Sequence, residues 1–265
     1  MILKMKAIIL AAGEGKRLRP LTNNNPKCMV NLFGKKIIDY QIQVFKKLGI
    51  NDITIITGYK ADSVDISNVK TYQNKEYDKT NMVTTLFCAE NELVGETIVS
   101  YGDIIFEREI LEKLLKSKED FSIIIDKNWR DYWEARFNDP INDAESLKLD
   151  SEENILDIGK KVSTLNEIEG QYIGLMKFSK LGVEKIKKLY NEMKDGKNPL
   201  ERGISFKKLY MTDFLQCLIN EGNKLKAIPI KSRWLEVDTI EDYQLYEKLY
   251  QNNEIKKFFD PKDFI

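Results

Sequence analysis

The segment that most restricts what this chain can fold into is Lys6 to Lys27, KAIILAAGEGKRLRPLTNNNPK. Ala7-Ile8-Ile9-Leu10 is an apolar run rich in β-branched side chains and too short for a helix, which predicts a buried strand. It breaks directly into Leu10-Ala11-Ala12-Gly13-Glu14-Gly15-Lys16-Arg17, a turn of small residues that gives way to basic ones. Small residues let the main chain approach a ligand closely, and glycine admits the backbone angles that aim successive N–H groups inward. Backed by Lys16, Arg17 and Arg19 and followed by Lys27, such a turn suits the grip of a polyphosphate. A basic strand-to-helix loop without a ligand is the plainer alternative. The segment has no GxxxxGK[ST] phosphate loop, and its G-x-G-x-x-L is not the G-x-G-x-x-G of dinucleotide-binding folds.

The elements that follow alternate. Asn31 to Gly34 predicts a turn, and the spacing of Ile37, Ile38, Gln41, Val44, Phe45 and Leu48 a helix from about Lys36 to Leu48, stopped at Gly49. Asp52 to Thr57 and Val69 to Gln73 read as strands, about Met82 to Glu92 as a helix, and Glu96 to Asp103 as a strand that precedes a helix over about Glu109 to Ser117. Phe121 to Ile125 is another strand. Ser146 to Asp150 and Ile155 to Ile158 form a hairpin, and Ile173 to Phe178 continues the chain. Helices near Leu181 to Met193 and Met211 to Asn220 flank a Lys/Asn/Gly-rich loop; strands over Leu225 to Ile230 and Trp234 to Val237 precede a last helix, which Thr239 and Asp242 begin as a capping box. Strand–helix–strand order predicts the beginning of a parallel, doubly wound, Rossmann-like α/β sheet. With 265 residues the chain suits one domain spanning 1–265, in which about 126–175 form a small insertion carrying the hairpin and an aromatic segment.

Composition removes several functions. Lysine plus arginine equals aspartate plus glutamate at 42 each, which argues against a nucleic-acid coat or a polybasic membrane anchor. No run approaches a membrane span, and three dispersed cysteines (Cys28, Cys88, Cys217) match neither a disulfide framework nor a zinc site, so a cytoplasmic protein is expected. Histidine is absent, which eliminates a histidine base and histidine metal ligands. Chemistry must come from carboxylates, lysines, arginines and a metal held by oxygen. Attack by a phosphate or phosphonate on a nucleotide's α-phosphorus suits that inventory, because the nucleophile is already largely ionised near neutral pH and needs no base.

The string L-A-A-G-x-G-x-R-L-x-P-L-T followed by Pro26-Lys27 resembles the signature of the nucleotidyltransferases that join a nucleoside triphosphate to a phosphorylated small molecule and release pyrophosphate. Within them it is most similar to the phosphocholine-type, CTP-dependent cytidylyltransferases, whose relatives use phosphocholine, 2-aminoethylphosphonate or phosphorylated glutamine. The resemblance extends along nearly the whole chain and implies three layers, α/β/α, around a mostly parallel mixed sheet. It implies CTP and a small phosphorylated acceptor as partners, Mg²⁺ as cofactor, and a place in decorating cell-surface polysaccharides or phospholipids; a homodimer is compatible with it.

Carried over residue by residue, the resemblance puts the nucleotide on Leu10, Ala11, Ala12, Gly13, Glu14, Gly15 and Lys16, with Thr80 and Asn81 reading the pyrimidine. Both of the last two stand at a helix N-terminus, where capping is the alternative role. It makes Arg17, Lys27 and Lys160 the catalytic cations, with Lys160 on the acceptor's phosphate, and Asp103 and Asp238 the metal ligands. Two aspartates that each close a strand can meet around one Mg²⁺. In Asp126 to Pro140, four aromatics within nine residues are mixed with charges of both signs. This reads as an acceptor pocket or lid, with Trp129, Trp133 and Arg136 in contact and a carboxylate from Asp126, Asp131 or Glu134 beside an amine. A packed aromatic cluster is the alternative. Glu169, Gln171 and Tyr172 complete the expected acceptor site. UTP- or dTTP-dependent sugar-1-phosphate transferases share the opening motif and are the rival reading, and a catalytically silent nucleotide sensor is another.

Overall fold

β1 (Lys6–Ala11) is buried along almost its whole length because it lies inside a sheet covered on both faces. The computed structural model describes residues 5–197 and 205–264, so most of the Lys/Asn/Gly-rich loop lies outside the described residues. In chain order the further strands are β2 (Asn31–Leu32), β3 (Lys35–Lys36), β4 (Asp52–Thr57), β5 (Lys70–Gln73), β6 (Thr97–Tyr101), β7 (Ile104–Phe106), β8 (Phe121–Asp126), β9 (Glu145–Leu149), β10 (Ile155–Lys161), β11 (Gln171–Phe178), β12 (Lys226–Ile230) and β13 (Trp234–Glu236). The helices are α1 (Ile37–Lys47), α2 (Met82–Phe87), α3 (Arg108–Lys116), α4 (Trp129–Arg136), α5 (Lys180–Lys194), α6 (Met211–Asn220) and α7 (Ile240–Gln251). Among the described residues, no helix is long and apolar enough to cross a membrane.

Seven strands form one sheet in the order β12-β8-β11-β6-β1-β4-β5. All neighbours run parallel except β11, which is antiparallel to both β6 and β8 and makes the sheet mixed. Alternation along β1 divides the interior. Ala7, Ile9 and Ala11 pack with α1, α3, α4 and α7 on one face, whereas Ile8 and Leu10 pack with α2, α5 and α6 on the other. The result is three layers.

Three local expectations change. The helix expected over Met82 to Glu92 ends at Phe87, and a separate 3₁₀ turn covers Glu90–Glu92. Asp103 does not precede a helix directly; it sits in a tight turn between β6 and β7, and Ile104–Phe106 pairs antiparallel with Trp234–Glu236. The aromatic segment is an ordinary amphipathic helix. Trp129, Tyr132, Trp133 and Arg136 follow i, i+3, i+4, i+7 spacing and present one stripe to the core.

Candidate active site

β1 stands between β4 and β6, so successive connections leave it in opposite directions and a crevice opens at the carboxyl ends of the strands. There lies a cleft of about 500 Å³, lined by Leu10 through Arg17, Lys27, Thr80, Asn81, Asp103 and Asp238. Sequence reasoning did not single out its other walls, among them Cys28, Tyr77, Tyr101 and Glu236.

The glycines around the cleft have separable reasons. A Cβ on Gly13 would meet nothing within 4 Å, so the space beside it belongs to the cleft and not to the packed chain. Gly15 has φ +63°, the left-handed region, and turns the loop back beneath Lys27. Gly102 has no room for a side chain, since a Cβ would lie 2.8 Å from Leu10 O. Its N–H donates to that same carbonyl at 2.9 Å, which ties the β6 end to the β1 end. The amides of Gly13, Glu14 and Gly15 have no partner among the described residues and are free to meet an anion.

Two carboxylates far apart in sequence meet here because β7 and β13 form a short ladder. Val237 N–H donates to Asp103 O at 2.9 Å, which sets Asp238 beside Asp103. The Lys27 ammonium bridges them, 2.9 Å from Asp103 Oδ2 and 2.5 Å from Asp238 Oδ1. Arg17 pairs with the other oxygen of Asp238. Burial alone would lower the Lys27 pKa, but the two carboxylates outweigh it and hold the amine protonated well above its usual range. Burial likewise pushes Asp238 upward, and Lys27 and Arg17 more than reverse this, leaving it below the usual carboxylate value. Asp103 Oδ1 is buried and has no hydrogen-bond partner among the described residues. No group of three or more Asp, Glu, Cys or His side chains with metal-site geometry occurs among the described residues. Two hard oxygen donors, one still unsatisfied, fit an ion such as Mg²⁺ that keeps waters and takes phosphate oxygens as its remaining ligands. Cys28 borders the same cleft, yet burial pushes its thiol up to about 12, which excludes a thiolate nucleophile.

On the opposite wall, Asn81 Oδ1 accepts from Met82 N–H at 2.9 Å and begins α2, while its Nδ2 has no partner among the described residues. Thr80 is less available. Its hydroxyl donates to Glu76 O at 2.8 Å and accepts from Asn74 Nδ2 at 2.9 Å. Asn74, buried, holds the whole loop by also donating to Thr85 Oγ1 and accepting from Glu76 N–H.

The expected acceptor contacts need correction. Trp129 and Trp133 are buried in the core, edge to face with each other, and line no part of the cleft. Arg136 is buried too: Nε and Nη2 donate to Asp242 at 2.8 and 3.0 Å, and Nη1 lies 2.9 Å from Glu236 Oε2. Asp126 is fully buried and accepts from Trp234 Nε1 at 2.8 Å, so it faces no amine. Aromatic side chains with charges among them signalled a buried ionic brace here, not a ligand cage. Lys160 is paired with Asp157 on the hairpin and is not part of the cleft wall. Glu169 accepts from Leu149 N–H at 2.6 Å. Gln171, buried, clasps the main chain of Glu145. Tyr172 reaches the cleft only through Tyr101, whose ring meets it edge-on at 5.7 Å.

The brace ends at Asp238. Tyr132 Oη accepts from Glu236 N–H at 2.8 Å, and Tyr246 Oη donates to Glu236 O at 2.8 Å. Asp242 Oδ2 accepts from the N–H groups of Asp238 and Thr239 at 3.1 and 2.9 Å, and Thr239 returns the capping bond at 3.0 Å.

The model of the nucleotidyl transferase family matches residues 6–93. A CTP:phosphoglutamine cytidylyltransferase of Campylobacter jejuni is 42% identical over 254 residues, covering 91% of this chain and 98% of that one. A choline-phosphate cytidylyltransferase of Streptococcus pneumoniae is 38% identical over 117 residues, 43% of this chain and 51% of its own length. The fold is similar to that of the solved CTP:phosphocholine cytidylyltransferase from Streptococcus pneumoniae, with a TM-score of 0.71 at 24% identity over 94% of this chain and 100% of that one.

Proposed function

The chain belongs to the nucleotidyl transferase family, and within it we propose a cytidylyltransferase that moves CMP from CTP to a small phosphorylated, amine-bearing acceptor and releases pyrophosphate. The observation that most supports this is the meeting of Asp103 and Asp238 on Lys27 above the glycine turn. Of the acceptors considered, phosphorylated glutamine is favoured by the 42% identity to an enzyme named for it.

The free amides of Gly13 to Gly15, with Lys16, would take the triphosphate, and Asn81 Nδ2 has a donor to offer the cytosine edge. Asp103 and Asp238 would hold Mg²⁺, which when bound supplies charge neutralisation on phosphate oxygens. An oxygen of the acceptor's phosphoryl group bonds to the α-phosphorus of CTP as the bond to pyrophosphate breaks. Lys27 and Arg17 offset the charge that accumulates on the departing group, and no base is required. The acceptor is read at the part of the cleft wall that includes Tyr101, whose ring suits an amine. Lys160 has no part in this reading.

Incubation with each of four nucleoside triphosphates, Mg²⁺ and a panel of phosphorylated amines, alcohols and sugars tests it. Pyrophosphate is expected with CTP and a phosphorylated amine. Release with UTP or dTTP and a sugar 1-phosphate would establish the rival instead, and none with any pairing would favour a nucleotide sensor.

A further inference from the structure

Gln41 is a polar residue on the buried stripe of α1 and is fully buried. Burying an amide is costly unless it is hydrogen-bonded. Here the partners are specific. Nε2 donates to Tyr101 O at 2.8 Å and to Ile104 O at 2.7 Å, and Oε1 accepts from the buried Ser100 hydroxyl at 2.7 Å. Those two carbonyls flank the Gly102-Asp103 turn on either side. Both hydrogens of one side-chain amide therefore span the turn that presents Asp103, whose Oδ1 has no hydrogen-bond partner among the described residues. From the other side, Gly102 is pressed on the end of β1 and Val237 N–H is bonded to Asp103 O.

We propose that Gln41 is a positioning residue for the metal-holding turn: it fixes the Tyr101–Ile104 main chain so that the Asp103 carboxylate is aimed at the cation. This rests on the reading of Asp103 as a metal ligand. A purely structural glutamine would stabilise the fold without affecting metal affinity more than any equally destabilising core change. Positioning predicts a separate effect, because groups that orient a ligand typically change metal affinity about 10- to 100-fold when removed.

The test is direct Mn²⁺ binding in the presence of CTP, followed by electron paramagnetic resonance, with thermal stability measured in parallel. Gln41→Met keeps the length and loses all three bonds; it is expected to bind Mn²⁺ about tenfold more weakly. Val183→Ala, a core deletion in α5, serves as the stability control and is expected to bind as wild type does. Should Gln41→Met not fold, Gln41→Glu retains the shape: protonated it donates one hydrogen, ionised it donates none, so its deficit relative to wild type should grow as pH rises. Wild-type binding by the folded Gln41 variant, or an equal loss in Val183→Ala at matched stability, would overturn the inference. Asp103→Asn separates the two layers. Wild-type binding there would remove the reading beneath the proposal and the proposal with it, whereas lost binding there beside intact binding in Gln41→Met would sink the proposal alone.

Discussion

Around Asp103, the contacts that fix the main chain are all neutral: a glutamine amide across the turn, a glycine against β1, and a strand amide on the carbonyl. Around Asp238, a few ångströms away, they are largely ionic. Arg136 sits with Asp242 and Glu236 beneath the segment, with two tyrosines holding Glu236. The two turns serve one cleft and share Lys27, but they fail differently. A neutral brace that is cut leaves carbonyls and a hydroxyl short of a partner, at about 1–3 kcal/mol for each group. A charged brace that is cut leaves a buried carboxylate without its countercharge, at about 3–5 kcal/mol.

The contrast is broken first through Arg136, whose side chain is only 1% exposed. Arg136→Met is expected to lower unfolding free energy by about 3–5 kcal/mol in urea titrations. A loss below about 1 kcal/mol, as for an exposed ion pair, would mean that the Asp238 side is not held by its charges. Next comes the cation that both halves share. Lys27→Ala is expected to slow pyrophosphate release about a hundred- to a thousandfold, roughly 3–4 kcal/mol of barrier, while circular dichroism stays native. Wild-type turnover would take Lys27 out of the mechanism.

The same contrast explains what could be read in advance. The β1 run and glycine turn declare themselves because strand burial and small-residue turns are local properties of sequence. The doubly wound start of the sheet followed from strand–helix alternation, the layers from the family resemblance, and a strand-end position drew attention to Asp103. The ionic half was misread because Trp129, Trp133 and Arg136 carry the chemistry of a ligand pocket and the spacing of a core helix, and spacing decided. A charge on a buried stripe needs a partner, and the partner, Asp242, lies 106 positions away. Gln41 posed the converse difficulty. It sat in plain view on the apolar face of α1, but its partners belong to a turn about sixty residues on, which no local pattern announces. The β7–β13 ladder that unites the two aspartates is three residues per strand, too short for periodicity to reveal.

The finest separation of the two halves is by pH, since only one of them titrates. Burial and the charges of Asp103 and Asp238 hold the Glu236 carboxyl up at about 7, against an ordinary 4.5, despite the opposing pull of Arg136 and Lys27. The native state therefore keeps a proton that the unfolded chain has already released. Where the native state binds more protons, stability falls as pH rises, and the window is bounded by the two values, about 4.5 to 7. Melting temperatures in EDTA at pH 5 and pH 7.5 are expected to drop more for wild type than for Glu236→Gln, which has no proton to lose. Gln41→Met, cut in the neutral half, should lie below wild type at both pH values and keep its slope. Parallel behaviour of wild type and Glu236→Gln would mean that Glu236 is ionised throughout, and the ionic half would then be held by Arg136 more tightly than burial opposes.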